Sequence, residues 1–151
     1  MRFVSSAFRA WLLCILASAA LGSAWAQDLR SGTLKSVMGE VHVTKGHDRR
    51  EAAPGGGVAE TERIVTGPNG IAVLLLRDGT QLTVGPNSQV DLTRFQFDST
   101  TQSGSLVVRV ILGTIRMVTG VLGKLAPENV KVMTPSSTVS VRGTDFIVEV
   151  P

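Results

Sequence analysis

Residues 71–92 read IAVLLLRDGTQLTVGPNSQVDL, and this stretch decides the fold. Six apolar residues lead into Arg77-Asp78-Gly79-Thr80, and an alternating segment follows. Asp-Gly between two strand-like runs predicts a β-hairpin, here with a type I′ turn, which requires positive φ at both central residues. Gly85-Pro86-Asn87-Ser88 predicts a second turn before the next alternating run. The stretch therefore predicts an all-β protein.

Short strand-like segments separated by turn residues continue on both sides of this stretch. We count about nine or ten strands, at the 8–12-residue spacing typical of sandwiches and rolls. Residues 45–62 are polar and glycine-rich, and we interpret them as a surface loop with at most a short edge strand. Gly123 and Pro127 argue against a helix over residues 121–129. We expect a compact β-roll, a short solenoid-like fold or a sandwich, with little or no helix.

The tripeptide Gly-Pro-Asn occurs twice, at residues 67–69 and 85–87. One interpretation is two independent tight turns, because Gly, Pro and Asn are common in turns anyway. The other is that successive passes of the chain stack with their turns in register, as in a β-roll or short solenoid. The sequence leaves both interpretations open.

Residues 1–26 have the pattern of a signal peptide that is removed on export. Arg2 and Arg9 precede the apolar residues 10–21, which are too few to span a hydrocarbon core of about 30 Å. Ala24-Trp25-Ala26 predicts cleavage after Ala26. We expect residues 27–151 to form a single all-β domain, periplasmic or secreted, with no transmembrane segment after cleavage.

Cleavage would change the composition of the chain. Arg2 and Arg9 would be lost, so that 13 of the 15 Lys and Arg would face 12 Asp and Glu. A nearly neutral chain does not predict nucleic-acid binding. Cys14, the only cysteine, would also be lost, which excludes disulfides and thiolate metal ligands. The remaining aromatic residues would be Phe95, Phe97 and Phe146.

Several short motifs occur in a fixed order along the chain. They are GEVHV at 39–43, TG at 66–67, DGTQL at 78–82, GTI at 113–115, TP at 134–135 and VRGTDF at 141–146. This order resembles the FecR domain, a periplasmic domain named for the ferric citrate transmembrane regulator, over residues 33–150. The resemblance implies a non-catalytic all-β domain of exported or membrane-tethered bacterial proteins. It also marks a structural motif, whose residues are Asp78, Gly79, Thr134, Pro135, Arg142, Gly143, Thr144, Asp145 and Phe146.

The full regulator relays receptor occupancy to a sigma factor through a cytoplasmic segment and a transmembrane helix. Here a signal peptide stands in their place, so we expect only the extracytoplasmic binding role. Within residues 142–145, Arg142 and Asp145 are candidates for a charged pair at a binding surface. In the structural alternative, which we favour, Gly143 supplies a bend or bulge, and Thr144 and Asp145 bond the local backbone. Arg142 then holds a loop through a charge-assisted hydrogen bond.

Candidate catalytic and metal-binding residues are few. His42 and His47 lack a third ligand at a recognisable spacing, so no metal site is predicted. Residues 54–57 are glycine-rich but lack the Lys-Ser/Thr of a phosphate-binding loop. Glu60 and Glu62 would share one side of a strand, and we interpret them as a solvated edge. We expect no enzyme, no cofactor and no catalytic residues.

These observations predict a periplasmic binding or scaffolding module that engages another envelope protein, through a strand edge or a loop face. A role in envelope sensing or signalling fits the same resemblance. The alternative is a glycan-binding module of the cell wall or of a surface polysaccharide, which would be marked by exposed aromatic residues. The sequence assigns no ligand-binding residues.

Overall fold

The computed structural model describes residues 30–142 and 145–151. The predicted signal peptide, residues 1–26, lies outside the described residues, as do Gly143 and Thr144. The fold is all-β, as predicted. The strands are β1 (Arg30–Met38), β2 (Val41–Lys45), β3 (Asp48–Glu51), β4 (Gly57–Ala59), β5 (Arg63–Thr66), β6 (Ile71–Leu76), β7 (Gln81–Val84), β8 (Gln89–Asp98), β9 (Ser103–Val118), β10 (Val130–Met133), β11 (Thr138–Ser140) and β12 (Asp145–Val150). Between β9 and β10 lie a short helix, α1 (Val121–Leu125), and a 3₁₀ turn (Pro127–Asn129).

The strands form two sheets that share β9. Sheet A has the order β4-β1-β6-β7-β9-β12, and sheet B has the order β3-β2-β5-β8-β9-β10-β11. Residues 103–112 of β9 pair with β8 in sheet B, and residues 113–118 pair with β7 and β12 in sheet A. All strand pairs are antiparallel except β9 with β10. The two sheets are therefore one sheet folded across a long central strand.

Four of the points at which the chain passes between the sheets lie along a single line, which we call the seam. Three crossings are the connections 39–40, 67–70 and 85–88, and the fourth is the bend of β9 at Gly113, where φ is +91°. Gly67 N–H donates to the Glu40 carbonyl at 2.9 Å, and Asn87 N–H donates to the Gly67 carbonyl at 3.0 Å. Gly85 N–H donates to the Thr114 carbonyl at 2.9 Å. The four crossings thus stack side by side.

The seam decides between the two interpretations of the Gly-Pro-Asn repeat. Its two copies are adjacent crossings, and the residues between them form one excursion out along β6 and back along β7. Their backbones are hydrogen-bonded to each other, so the turns are not independent. The stacked interpretation describes the structure.

Asp78-Gly79 forms the predicted hairpin between β6 and β7, but the predicted turn type is wrong. Within this turn only Gly79 has positive φ, at +84°. Gly79 N–H donates to the Leu76 carbonyl at 3.0 Å, and Leu76 N–H donates to the Thr80 carbonyl at 2.9 Å. This is a three-residue loop with a type I turn and a G1 bulge. The buried Asp78 carboxylate accepts the N–H and the hydroxyl of Thr80, which stabilises this arrangement.

The prediction that residues 45–62 form a surface loop is also wrong, because they contain β3 and β4. Val58 in β4 is completely buried, and Ala52 is nearly so. Gly55 N–H donates to the Leu34 carbonyl at 2.7 Å, and Leu34 N–H donates to the Gly56 carbonyl at 2.8 Å. Twelve strands are present in the described residues, more than the nine or ten expected. The polar, glycine-rich composition of residues 45–62 did not indicate strands, because β3 and β4 are held by pairing with β2 and β1.

Helix α1 occupies the segment in which a helix was argued against. Its Leu122 is completely buried, and tertiary packing of this kind overrides a low intrinsic propensity. Gly123 lies close to Thr119, where a β-carbon would collide with the threonine side chain. Pro127 begins the following 3₁₀ turn and so does not interrupt the helix.

Candidate functional site

An open groove lies where both sheets end beyond β9, between β11 of sheet B and β12 of sheet A. Its volume is about 470 Å³. We call it the β11–β12 groove, and its lining residues are Val139, Ser140, Val141, Arg142, Phe146, Ile147, Val148 and Glu149. Five of these eight side chains are apolar, which makes the groove suited to contact with an apolar surface.

The apolar residues of the groove differ in how far they are covered. Val141 is buried, and its N–H donates to the Val130 carbonyl at 3.2 Å. Phe146 and Val148 pack partly against the core. Val139 is 42% exposed and Ile147 is 66% exposed, so each keeps a large apolar area in solvent. The groove thus has a fixed floor and an exposed apolar rim.

Strand β12 is an edge of sheet A. It pairs with β9 through six residue pairs, from Asp145 opposite Val118 to Val150 opposite Gly113. In the part of the chain that the structure describes, no strand pairs with its other side. A strand in this position presents a row of backbone N–H and C=O groups to solvent. Among the described residues, this side of β12 is therefore an unpaired edge.

The start of β12 is fixed by an ion pair with β9. The guanidinium of Arg116 donates from Nε to Asp145 Oδ1 at 3.0 Å and from Nη2 to Asp145 Oδ2 at 2.6 Å. Arg116 lies opposite Ile147, so the pair runs diagonally between the strands. The hydrogen bonds from Arg116 lower the pKa of Asp145, and those to Asp145 raise the pKa of Arg116. The partner of Asp145 is therefore Arg116, not the Arg142 considered from the sequence.

Thr134 and Pro135 lie in the turn that joins β10 to β11. Thr134 N–H donates to the Ser137 carbonyl at 2.8 Å, and Ser137 N–H donates to the Thr134 hydroxyl oxygen at 3.0 Å. Pro135 is exposed at the corner. These bonds close the hairpin, so this pair of motif residues positions one wall of the β11–β12 groove.

Asp78 and Gly79 lie at the end of sheet A where β12 begins. Gln81 of β7 and Asp145 of β12 are both opposite Val118, on its two sides. The Thr80 hydroxyl donates to Asp78 Oδ2 at 2.7 Å and accepts the Gly120 N–H at 3.0 Å. This buried network ties the hairpin to the segment that follows β9. Asp78-Gly79 and Asp145, which are distant in sequence, thus lie at the same end of sheet A.

Two of the other candidate residues, His42 and Glu62, have partners in the structure. His42 Nε2 lies 3.0 Å from Glu40 Oε1, whereas His47 lies at the far end of the same hairpin, in the β2–β3 turn. Glu62 accepts the Ala59 N–H at 2.8 Å and the Arg50 Nη2 at 2.7 Å. Over residues 30–142 and 145–151, no three His, Cys, Asp or Glu side chains are close enough to hold a metal ion.

Sequence reasoning missed two residues of this region. Arg116 was not recognised because the partner of Asp145 lies 29 residues away on a strand whose register the sequence does not reveal. Ile147 was not recognised because alternation in β12 places Phe146, Val148 and Val150 on the covered face and Ile147 on the exposed one. An apolar residue on the polar side of an alternating strand was the available signal.

The comparisons with known proteins identify the family. The family model described as FecR protein matches residues 62–150, more than half of the chain. The match runs from the residue before β5 to the end of β12, whereas the resemblance was predicted from residue 33. No curated protein and no solved structure matches the chain.

The matched family also bears on the kind of activity to expect. FecR is a regulatory and signalling family of the cell envelope, whose members act with partner proteins, and it is not a known enzyme family. Among the described residues, no helix has the length and apolar character needed to span a membrane. The motif order, the all-β fold and the match agree, and the chain belongs to the FecR family.

Proposed function

We propose that the protein is a non-catalytic periplasmic module that binds another envelope protein through the open edge of β12. An extended segment of the partner would pair with β12 and extend sheet A, with its side chains entering the β11–β12 groove. The observation that carries this proposal is that β12, unlike the other edge strands, lacks features that disfavour pairing with a further strand.

The other edge strands are protected in recognisable ways. Strand β3 consists of Asp48, Arg49, Arg50 and Glu51, and charged residues disfavour pairing with a further strand. Strands β4 and β11 have three residues each. Strand β12 has six residues and exposes Ile147. Of the edges in the described residues, β12 alone combines length with an exposed branched apolar side chain.

The charges beside the groove indicate the chemistry of the partner. Glu149 lines the groove, and within the described residues it forms no ion pair. A partner strand with apolar residues at alternating positions and a Lys or Arg opposite Glu149 would complement this surface. Such an interaction would support an envelope sensing or signalling role.

The glycan-binding alternative is not favoured by the groove. Phe95 is buried and lies beneath the Arg77 guanidinium, 5.6 Å from the ring centroid. Phe97 and Phe146 are packed against the core. The described residues therefore offer no exposed aromatic platform on which a neutral sugar ring would stack.

Site-directed photo-cross-linking in living cells tests the proposal. A cross-linking residue at Ile147 should capture a specific envelope protein, and the charge introduced by Ile147→Asp should abolish the interaction. A cross-linking residue at Met38 is the matched control, because Met38 is 61% exposed but lies outside the groove. Equal capture from both positions, or recovery of peptidoglycan or polysaccharide fragments with no protein, would overturn the proposal.

Export is tested separately. We propose cleavage after Ala26, which would place residues 27–151 in the periplasm or outside the cell. N-terminal sequencing of the protein recovered from the periplasm or the medium should begin at Gln27. A chain that retains Met1 and remains in the cytoplasm would contradict this.

A further inference from the structure

The outer face of sheet B carries a second surface, formed by side chains of β8, β9 and β10 that do not line the β11–β12 groove. Arg94 of β8 and Lys131 of β10 are both directly opposite Val107 of β9, on its two sides. Arg109 follows two residues after Val107, so its side chain lies on the same face. Arg94, Arg109 and Lys131 are exposed, and the residues that alternate with them on β9 and β10 are buried. We call these three residues the cationic face.

The register places the three cations close together. Neighbouring strands are about 4.8 Å apart and alternate residues about 6.7 Å apart, so the three Cα atoms lie roughly 8–10 Å from one another. Long Lys and Arg side chains reach across such distances. Neighbouring anionic groups on one ligand can therefore contact all three.

The cationic face has little compensating negative charge. None of its three residues forms an ion pair with a carboxylate in the described part of the chain. Asp91 lies directly opposite Arg109, but its carboxylate is held by Arg63 on the other side. Arg63 Nε lies 2.5 Å from Asp91 Oδ1, and Nη2 lies 3.1 Å from Oδ2. The hydrogen bonds to Asp91 raise the pKa of Arg63.

A polar cleft of about 320 Å³ adjoins Arg109 on this face. Its lining combines charged residues with hydroxyl groups and consists of Thr44, Gly46, Thr61, Arg63, Asp91, Thr93 and Arg109. Thr61 has φ of +69°, a strained conformation for a β-branched residue. Such strain occurs preferentially at ligand-binding positions. The cleft therefore offers hydroxyl groups and a cation within one recess.

We propose that the cationic face and this cleft bind an acidic polysaccharide, with carboxylate groups on Arg94, Arg109 and Lys131 and sugar hydroxyls in the threonine-lined cleft. Guanidinium groups recognise carboxylates through paired, charge-assisted hydrogen bonds. Threonine hydroxyls both donate and accept, as sugar hydroxyls do. This site shares no residue with the β11–β12 groove, so the two proposals are tested with different variants.

The position of the face distinguishes a polysaccharide from other anionic polymers. The backbone groups of β8, β9 and β10 are used within the sheet, so a peptide would find no main-chain partners here. The face carries no aromatic residue on which nucleic-acid bases would stack. A polymer that carries both carboxylates and hydroxyls matches the surface best.

Binding of the purified protein to alginate, a polyuronate, tests the proposal, with neutral dextran and poly-glutamate as comparison polymers. The double variant Arg94→Gln, Arg109→Gln should bind alginate about tenfold or more weakly. The matched control Lys35→Gln, Lys124→Gln removes the same charge from exposed positions elsewhere and should bind within about twofold of the unmodified protein. Added salt should weaken binding, because it screens exposed charges.

Each outcome of this experiment decides the question. Selective binding of alginate that the first variant loses and the control retains would support the proposal. No binding of alginate by the unmodified protein, or equal loss in both variants, would overturn it. Poly-glutamate binding as tight as alginate binding would identify a surface for acidic proteins instead and would also overturn it.

Discussion

The backbone N–H of Asn87 donates to the carbonyl oxygen of Gly67 at 3.0 Å, which joins the two copies of the Gly-Pro-Asn turn. The Thr66 side chain bridges the same two turns, because its hydroxyl donates to the Gly85 carbonyl at 2.6 Å and accepts the Ser88 N–H at 2.9 Å. Thr66 is buried, so water cannot replace these bonds. The seam is therefore held in part by buried polar contacts of Thr66.

Replacing Thr66 with valine should destabilise the seam. Thr66→Val keeps the shape but leaves the Ser88 N–H and the Gly85 carbonyl without the hydroxyl, which should lower the free energy of unfolding by about 1–3 kcal/mol. Thr66→Ser retains the hydroxyl and should cost less. Urea denaturation of the three proteins measures the difference, and equal losses in both variants would refute the role of the hydroxyl.

The bend of β9 at Gly113 should not tolerate a side chain. A β-carbon at Gly113 would lie 2.6 Å from the Cα and Cβ atoms of Ser88, in a backbone conformation that already disfavours L-residues. Gly46 is the matched control, because φ there is +59° but nothing lies within 4 Å of a β-carbon. Gly113→Ala should lower the free energy of unfolding by at least about 2 kcal/mol more than Gly46→Ala. Similar losses in denaturant titrations would show that only backbone strain acts at Gly113.

The Arg116–Asp145 pair should make β12 sensitive to acid. The pKa of Asp145 in the folded protein is below its ordinary value of 3.8, so the contribution of the pair is present above that pH and is lost as the pH falls through the folded-state pKa. Amide hydrogen exchange of β12 should therefore accelerate in acid relative to the core. Asp145→Asn should show the faster exchange at pH 7 and no further acid effect at this strand.

The matched control for this prediction is Asp98→Asn. Backbone N–H groups of Thr101 and Thr100 lower the pKa of Asp98, so it contributes its own acid dependence to global stability. Because Asp98 lies at the end of β8, its replacement should leave exchange in β12 unchanged. Acid-insensitive exchange of β12 in the unmodified protein would contradict the prediction.

Gly123→Ala should reverse the usual effect of this substitution in a helix. Helix propensity alone predicts a gain of about 1 kcal/mol. In α1 the added carbon would meet the Thr119 side chain, with its Oγ1 at 2.8 Å, so the free energy of unfolding should fall. Lys124→Ala, at an exposed position of the same helix, should be nearly neutral. Stabilisation by Gly123→Ala, measured by thermal unfolding, would show that the helix has room to move.

The sequence predicted those features that depend on neighbouring residues. The alternation of residues 71–92 predicted β6, β7 and the start of β8, and Asp78-Gly79 predicted the hairpin between the first two. The turn type was missed because it depends on the buried bonds between Asp78 and Thr80. The local sequence pattern thus identified the strands and the hairpin, whereas the side-chain contacts of Asp78 and Thr80 determine the turn type.

Features that depend on distant residues were missed. Val58 is apolar in a polar segment, but only its burial beside β1 shows that it belongs to the core. The cationic face needs the register of three strands, since a chain of nearly balanced charge gives no sign that Arg94, Arg109 and Lys131 share one face. Alternation indicates on which face of a strand a residue lies. Which strands pair, and so which residues lie opposite one another, depends on contacts between residues that are distant in sequence.

Strand β9, which both sheets share, has a consequence for how the protein melts. If residues 103–112 detach, β9 loses its pairing with β8 and β10 in sheet B. If residues 113–118 detach, it loses its pairing with β7 and β12 in sheet A. One continuous strand cannot leave one sheet without straining its place in the other. The two halves should therefore unfold together in a single cooperative transition, despite their separate hydrogen-bond ladders.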